Sequence, residues 1–209
     1  MDVGIIGAGN IGATAARLFT RAGHRVAINN SRGPGSLEAL VRELGPNVRA
    51  AMVEEAADFG EVVLVAIPFK DYKTLPADQL SGKVVVDAMN YYPQRDGQID
   101  RGDLVSSELL ALHLPRTRLV KAFNTTYYET LATEGRPAET HDEERIVLFI
   151  AGDDDEAKAI ISKLIEEIGF EPVDTVSFRD GSRRQQPGSP IYNNPMTAEH
   201  AREVLSDLR

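Results

Sequence analysis

Short apolar runs alternate with segments of helical periodicity from the first residue to about residue 175. Each run is only a few residues long and is bounded by glycine, proline or polar residues, which is typical of buried strands. The runs predict strands over residues 3–6, 25–29, 48–50, 62–67, 83–87, 118–121, 145–151 and 171–174. Apolar residues at steps of three and four predict helices over residues 10–23, 37–44, 54–58, 104–113 and 154–168, with a last helix from about residue 197.

The alternation of strands and helices predicts the fold class. Such an order is typical of an α/β protein of the Rossmann type, with a doubly wound, mostly parallel sheet. We expect one domain over residues 1–209, with the Rossmann core at about 1–125 and a small C-terminal strand–helix extension at about 126–209. Residues 90–103 and 178–195 are rich in proline, glycine and polar residues, so we predict two loops that serve a site.

Composition narrows the class of protein further. The chain has 209 residues, of which 42% are hydrophobic and 26% are charged, which is close to the average for globular proteins. No apolar run approaches the roughly 20 residues of a membrane span, and no basic segment precedes an apolar stretch at the N-terminus. The absence of cysteine excludes disulfides and thiolate metal sites. We therefore expect a cytoplasmic protein that is not associated with a membrane.

The net charge of −9 argues against nucleic acid as a partner, because so acidic a chain repels the phosphate backbone. An anionic small molecule would need a local pocket of backbone N–H groups or arginines. The histidines at positions 24, 113, 141 and 200 are scattered, and none pairs with another at the spacing of metal ligands. We expect no metal site.

The first predicted strand is followed by Gly-Ala-Gly-Asn-Ile-Gly, a G-x-G-x-x-G pattern that opens the first predicted helix. In this context the pattern indicates dinucleotide binding. Gly7 allows the tight turn, Gly9 allows the backbone to approach a pyrophosphate, and Gly12 allows the helix to pack close to the strand. Asn10 and Ile11 begin the helix, whose free N–H groups and positive dipole end attract phosphate.

The end of the second predicted strand indicates which dinucleotide binds. Enzymes that use NAD usually carry Asp or Glu here, which accepts hydrogen bonds from the ribose 2′-hydroxyl. This chain has Asn30, Ser31 and Arg32 instead. A hydroxyl and a guanidinium suit a 2′-phosphate, to which Arg32 can donate two charge-assisted hydrogen bonds. We predict NADP rather than NAD as the cofactor.

Two further strand ends carry residues that suit a ligand site, because ligands bind beyond the carboxyl ends of parallel strands. Pro68 and Phe69 follow the fourth strand and are predicted to border the nicotinamide, unless the proline only ends the strand. Asn90 follows the fifth strand and can bind the carboxamide or a ribose of the cofactor. Its simpler role would be that of an Asx-turn residue.

The sixth predicted strand ends in another candidate group. Phe123 and Asn124 form an aromatic–polar pair that can face a substrate. Thr125 follows them, and we expect it to be the N-cap of the next helix. Lys121 can act as an acid in a reductase, although a lysine that closes a strand is more often structural or exposed.

In order along the chain, the segments GxGNIG, NNSRGP, AIPF, KAFNT and GDDDEAK resemble the deazaflavin-dependent NADP oxidoreductase family, over residues 1 to about 190. The tail at residues 186–190 resembles the bacterial branch of that family. The family transfers hydride between NADP(H) and the deazaflavin coenzyme F-420. Its relatives include the NADPH-binding domain of the six-transmembrane ferric reductases, which handles a flavin.

The resemblance implies a homodimer and a role for each candidate segment. Archaeal members tend to carry a histidine at the position of Asn124 and a second basic residue at that of Gly33. The resemblance places the pyrophosphate at residues 9–12, the 2′-phosphate at residues 31–32, the nicotinamide at residues 68–69 and 90, and the deazaflavin at residues 122–125.

Together these features predict an NADP(H)-dependent oxidoreductase that transfers hydride between NADPH and a deazaflavin or another flavin-like small molecule. This reaction needs little acid–base chemistry from the protein, so we assign no catalytic residue. Two alternatives are an NADPH-binding redox sensor without turnover and a reductase of a small ketone or imine. Arg179, Arg183 and Arg184 either hold an acidic part of the substrate or are simply solvated.

Overall fold

The computed structural model describes residues 1–137 and 144–208. Its strands are β1 (Asp2–Ile6), β2 (Arg25–Asn29), β3 (Val48–Ala50), β4 (Val62–Val65), β5 (Val84–Asp87), β6 (Arg118–Lys121), β7 (Val147–Gly152) and β8 (Glu171–Asp174). They form one sheet in the order β3-β2-β1-β4-β5-β6-β7-β8. The pairs from β3 to β6 are parallel, β7 is antiparallel to β6, and β8 is parallel to β7. The predicted fold class is confirmed, since the first six strands have the order of a dinucleotide-binding sheet.

Helices cover both faces of this sheet. Within the described residues they are α1 (Asn10–Arg21), α2 (Glu38–Leu44), α3 (Val53–Phe59), α4 (Ala77–Leu80), α5 (Pro93–Asp96), α6 (Ser106–His113), α7 (Tyr128–Thr133), α8 (Asp155–Glu167), α9 (Phe178–Arg184) and α10 (Ala198–Asp207). The sequence of β4 is apolar throughout because both faces of the strand are buried. Val62 and Leu64 belong to the core on one face, and Val63 and Val65 belong to the core on the other.

Both segments predicted as loops contain a short helix. Residues 90–103 include α5, and residues 178–195 include α9. Neither helix has an apolar period that would predict it from the sequence, and the same holds for α4 and α7. α9 packs on the sheet with Phe178 buried, and a Cβ at Gly181 would lie 2.4 Å from the Cβ of Ala151. Ser177 caps this helix, because its Oγ accepts from the backbone N–H of Asp180 at 3.1 Å, and the close contact of Gly181 with Ala151 places the helix against the sheet.

The chain after β6 extends the same sheet. β7 runs antiparallel to β6, with Ala151 opposite Lys121. α8 packs on one face of β7 through Ile161, while α10 packs on the other face in a cluster with Ile191 and Met196. The C-terminal segment is therefore held against the sheet close to the end of β6.

β5 and β6 end in a buried ion pair. Asp87 and Lys121 lie opposite each other in the ladder, and Lys121 Nζ donates to Asp87 Oδ2 at 3.0 Å. Ser107 Oγ donates to the same oxygen at 2.7 Å, and Lys121 Nζ also donates to the carbonyl of Met89. Burial lowers the pKa of Lys121, while the charge of Asp87 acts in the opposite direction. These contacts give Lys121 a structural role.

Gly12→Ala should destabilise the protein. A Cβ at Gly12 would lie 1.8 Å from the carbonyl oxygen of Gly7, which is backbone and cannot rotate away. We expect a loss of about 2–3 kcal/mol in the free energy of unfolding, measured by urea denaturation. Gly35→Ala is the matched control, because its Cβ would meet no atom within 4 Å. Equal stability of the two variants would contradict this close packing of α1 on the first turn.

Lys121→Met should lower the free energy of unfolding by about 3–5 kcal/mol, because it leaves Asp87 buried without its partner. Asp87→Leu should have a similar effect for the same reason. The double variant should be more stable than either single variant, since it removes both charges. Chemical denaturation of the three proteins measures this coupling. Additive losses would show that the two residues do not act as a unit.

Candidate functional site

A continuous cleft runs along the edge of the sheet where the parallel strands end. It consists of two adjoining pockets with volumes of about 960 Å³ and about 430 Å³. The larger, here named the β2-side pocket, lies beyond β1 and β2, and the smaller, the β6-side pocket, lies beyond β5 and β6. The two pockets meet beyond β4, where both are lined by Gly9, Ala66, Ile67 and Pro68.

The turn after β1 has the geometry that dinucleotide binding requires. Gly7 has a φ of 108°, a left-handed conformation that favours glycine. Gly9 is the N-cap of α1, and no atom lies within 4 Å of the position that its Cβ would take. Within the described residues α1 has no side-chain cap, and its first residues, Asn10 and Ile11, line the β6-side pocket. Gly12 lies behind the turn and packs against it, whereas the other five motif residues line the cleft.

The turn after β2 brings Asn30, Ser31 and Arg32 to the β2-side pocket. Asn30 shapes the turn. Its Oδ1 accepts from the backbone N–H of Arg32 at 3.0 Å, and its Nδ2 donates to Ser36 Oγ at 2.8 Å. Ser36 Oγ in turn donates to the carbonyl of Gly33 at 2.8 Å. Ser31 and Arg32 are exposed at the pocket, where both can meet an anion.

Pro68 lines both pockets, but the side chain of Phe69 is not where the sequence prediction put it. The Phe69 ring is buried in the core and stacks on Tyr72, with the ring centroids 4.7 Å apart. The reason is the 3₁₀ helix Phe69–Thr74, which begins directly after the proline and turns the ring away from the cleft. Ala66 and Ile67 line the cleft instead.

Two asparagines connect the ends of β5 and β6. Asn90 Nδ2 donates to the backbone carbonyl of Asn124 at 2.8 Å, and Asn124 Nδ2 donates to Asn90 Oδ1 at 3.2 Å. Asn124 Nδ2 also donates to the carbonyl of Gln185 at 2.9 Å. Both asparagines line the β6-side pocket. The structure thus places both predicted asparagines at the cleft, and the sequence analysis did not predict their contact with each other.

Phe123 and Thr125, the residues on either side of Asn124, do not have the roles that the sequence predicted for them. Phe123 has a φ of 64° and lines the β6-side pocket, but its ring packs into the core against Phe19, with the centroids 6.0 Å apart. The ring is therefore not placed to orient a substrate. The prediction of Thr125 as an N-cap is wrong, because α7 begins at Tyr128 with Tyr127 as its N-cap. The carbonyl of Thr125 instead accepts from the backbone N–H of Asn193 at 2.7 Å, which ties the C-terminal segment to this turn.

The sequence analysis missed the tyrosines of the β6-side pocket. Tyr92 and Tyr192 come from the two segments predicted as loops, and their hydroxyl groups are hydrogen-bonded to each other across the pocket. Burial, followed by the hydrogen bond with Tyr92, raises the pKa of Tyr192, so this hydroxyl stays protonated at neutral pH. Tyr127 and Tyr128 also line the pocket. The prediction that both loops serve the site was a signal for Tyr92 and Tyr192, whereas Tyr127 and Tyr128 lie outside those segments.

Arg95 lies beside this pocket and is held by its neighbour. Its guanidinium donates to both carboxylate oxygens of Asp96 at 2.9 Å and to the carbonyl of Asn90 at 2.7 Å. The hydrogen bond with Asp96 raises the pKa of Arg95. Arg95 thus adds a hydrogen-bond donor to the pocket, and the carboxylate of Asp96 largely balances the positive charge of Arg95.

The later arginine cluster lies on α9 rather than on a loop, and it does not line the cleft. Arg179 and Arg183 form ion pairs with Glu108 of α6, at 3.2 Å and 2.7 Å. Arg184 lines a separate groove beside β8. The hypothesis that these three arginines hold an acidic part of the substrate is therefore not supported, because two of them connect α9 to α6.

Within residues 1–137 and 144–208, no group of three histidine, aspartate or glutamate side chains is arranged to hold a metal ion. His141 lies outside the described residues. No described helix is both long and apolar enough to cross a lipid bilayer.

Comparison with known proteins links the chain to oxidoreductases. Residues 2–91 match a family model described as NADP oxidoreductase, coenzyme F420-dependent. The chain is also 33% identical over 178 residues to the metalloreductase STEAP3 of Rattus norvegicus, a match that covers 84% of this chain and 34% of that protein. The chain thus spans about a third of the length of this curated relative.

Two solved structures are similar over most of the chain. SMa0349, a hypothetical protein from Sinorhizobium meliloti, is 31% identical with a TM-score of 0.80, over 94% of this chain and 95% of that one. A protein from Arthrobacter sp. FB24, described provisionally as an F420-dependent NADP-reductase, is 23% identical with a TM-score of 0.73 over 88% of each chain, and it shows the same fold. The match places residues 2–91 in the family of coenzyme F420-dependent NADP oxidoreductases, and the two solved structures show the same fold over most of the chain.

Proposed function

We propose that this protein transfers hydride between NADPH and a flavin-like small molecule, either a deazaflavin such as coenzyme F420 or a flavin. The observation that carries the proposal is the single cleft with two different ends. One end presents a serine and an arginine, and the other is lined by tyrosines and asparagines. The second pocket, at about 430 Å³, lies within the range of roughly 300–1,000 Å³ that is usual for small-molecule sites.

The residues along the cleft fit NADPH from one end to the other. Ser31 and Arg32 can bind the 2′-phosphate at the β2-side pocket. The open space at Gly9, which any side chain would fill, admits a pyrophosphate at the start of α1. Ile67 and Pro68 would border the nicotinamide where the pockets meet. The acceptor would then occupy the pocket beyond β5 and β6.

NADPH, when bound, supplies the hydride, and the chain's own residues position the two rings and keep water away. Asn90 and Asn124 hold each other and present fixed amide groups. Tyr92 and Tyr192 line the same pocket with their hydroxyl groups hydrogen-bonded to each other. Such a transfer needs no protein acid. A ketone or imine reductase would need one, and a tyrosine hydroxyl of the β6-side pocket would have to supply it, because Lys121 is buried in its ion pair with Asp87.

Arg32→Ala should raise the Kd for NADPH about 10- to 100-fold, because hydrogen bonds to charged groups contribute roughly 1.5–3 kcal/mol. The Kd for NADH should hardly change, since NADH has no 2′-phosphate. Calorimetric titration of both nucleotides measures the effect. Arg42→Ala, at an exposed position of α2, is the matched control. An equal loss of affinity for NADH would refute the assignment of Arg32 to the 2′-phosphate.

The acceptor class is tested by steady-state oxidation of NADPH and of NADH with F420, FMN, FAD, riboflavin and a ferric chelate. We expect rapid oxidation of NADPH with at least one flavin-like acceptor and little oxidation of NADH. The ferric chelate is included because STEAP3 is a metalloreductase. Tight binding of NADPH without turnover on any acceptor would favour the redox-sensor alternative. Reduction of ketones or imines in place of flavins would favour the other alternative.

A further inference from the structure

Arg95 is the one charged residue among the described residues that line the β6-side pocket. The rest of the lining consists of glycine, tyrosine, asparagine, threonine and apolar residues, with no carboxylate among them. The whole chain carries 32 acidic and 23 basic side chains, so the charge in this pocket is opposite in sign to the net charge of −9. A positive group in a pocket without carboxylates, on an acidic protein, indicates that the ligand of the pocket carries an anionic group.

The hydrogen bonds of Arg95 leave one corner of its guanidinium unused. A guanidinium has five N–H donors. Nε and Nη2 donate to the two carboxylate oxygens of Asp96, and Nη2 also donates to the backbone carbonyl of Asn90. The two N–H groups of Nη1 have no acceptor within residues 1–137 and 144–208. Because the carboxylate binds the edge formed by Nε and Nη2, Nη1 lies at the corner that points away from Asp96.

Asp96 and Tyr92 fix the position of this guanidinium. The side chain of Asp96 has no exposed surface, whereas that of Arg95 is 45% exposed. The Asp96 carboxylate also accepts from the backbone N–H of Tyr92 at 2.9 Å, and the guanidinium carbon lies 5.0 Å from the centre of the Tyr92 ring. The long arginine side chain is therefore ordered before a ligand binds, and binding costs little of its conformational entropy.

The position of Arg95 associates it with the acceptor rather than with NADPH. Arg95 lines the β6-side pocket but not the β2-side pocket, where Ser31 and Arg32 are the proposed partners of the 2′-phosphate. The pyrophosphate has its own proposed place at Gly9 and the start of α1. On the proposed function, an anionic group at Arg95 is therefore carried by the acceptor.

We propose, on the basis of the proposed function, that Arg95 binds a phosphate on the side chain of the hydride acceptor through the two N–H groups of Nη1. FMN carries such a phosphate, whereas riboflavin ends in a hydroxyl group at the same place. Coenzyme F420 also has a phosphate in its side chain. Since Asp96 balances most of the charge of Arg95, the preference depends on two directed hydrogen bonds. The protein thus prefers phosphorylated acceptors to unphosphorylated ones with the same ring.

The test compares FMN with riboflavin, or F420 with its deazaflavin fragment that lacks the phosphate if only deazaflavins give turnover. For the native protein, kcat/KM should be about tenfold or more higher with the phosphorylated compound. The variant that combines Arg95→Met with Asp96→Asn removes the donors without leaving a carboxylate buried and unpaired. In it, kcat/KM with FMN should fall until the ratio approaches one. With riboflavin kcat/KM should stay within about twofold, as should the Kd for NADPH.

Two control variants separate the donors from the rest of the segment after β5. Asp96→Asn alone keeps the arginine and removes the balancing charge, so the preference for FMN should persist or rise. Arg101→Met should leave the ratio unchanged, because Arg101 lies over the Tyr91 ring, at 4.8 Å, and does not line the pocket. Quenching of flavin fluorescence, with NADP⁺ bound, measures the Kd of FMN and riboflavin independently of turnover.

Each other outcome overturns the proposal in a distinguishable way. A ratio near one in the native protein would show that no phosphate is recognised, while the proposed function would stand. An unchanged ratio in the double variant would show that another group binds the phosphate. Equal losses with FMN and riboflavin would show that Arg95 only shapes the pocket.

Two further results concern the cofactor and the proposed function. A tenfold rise in the Kd for NADPH in the double variant would place a cofactor phosphate at Arg95. Absence of turnover with every flavin and deazaflavin would defeat the proposed function itself. If the double variant does not fold by circular dichroism, the native ratio and its persistence in Asp96→Asn decide the question.

Discussion

Parallel pairing of the strands from β3 to β6 is the constraint on which the cleft depends. A parallel strand can be followed by another only after the chain has crossed back, so every strand of this group ends at the same edge of the sheet. The turns after β1, β2, β4, β5 and β6 therefore lie in one row, although they are far apart in sequence. The row follows the strand order β2-β1-β4-β5-β6, which is also the order of the proposed phosphate, nicotinamide and acceptor positions.

The buried ion pair aligns the half of this row that would hold the acceptor. Asp87 and Lys121 face each other at the last ladder position of β5 and β6, and Asn90 and Asn124 each follow three residues later. Because each asparagine lies the same number of residues after the paired Asp87 and Lys121, the two asparagines come into contact. The left-handed conformation of Phe123, between the ion pair and Asn124, sends its ring into the core and leaves the next side chain at the pocket. Such strain in a non-glycine residue is often found at functional sites.

The C-terminal segment completes the pocket from the other side. Three contacts connect it to the turns after β5 and β6: Asn193 with Thr125, Gln185 with Asn124, and Tyr192 with Tyr92. These contacts depend on β7 and on the helices α9 and α10, which hold the segment against the sheet. The residues after β6 therefore contribute to the proposed acceptor site as well as to the core.

The sequence by itself determined the fold class, the family, and the turns that line the β2-side pocket. Their signals are local, because a glycine pattern, an apolar period or a polar strand end is contained in a few neighbouring residues. Only the tertiary structure decided which way Phe69 and Phe123 point, that Arg179 and Arg183 pair with Glu108, and that Tyr92 meets Tyr192. Contacts between segments about 100 residues apart follow from the packing of helices and turns on the sheet, and no local pattern encodes them.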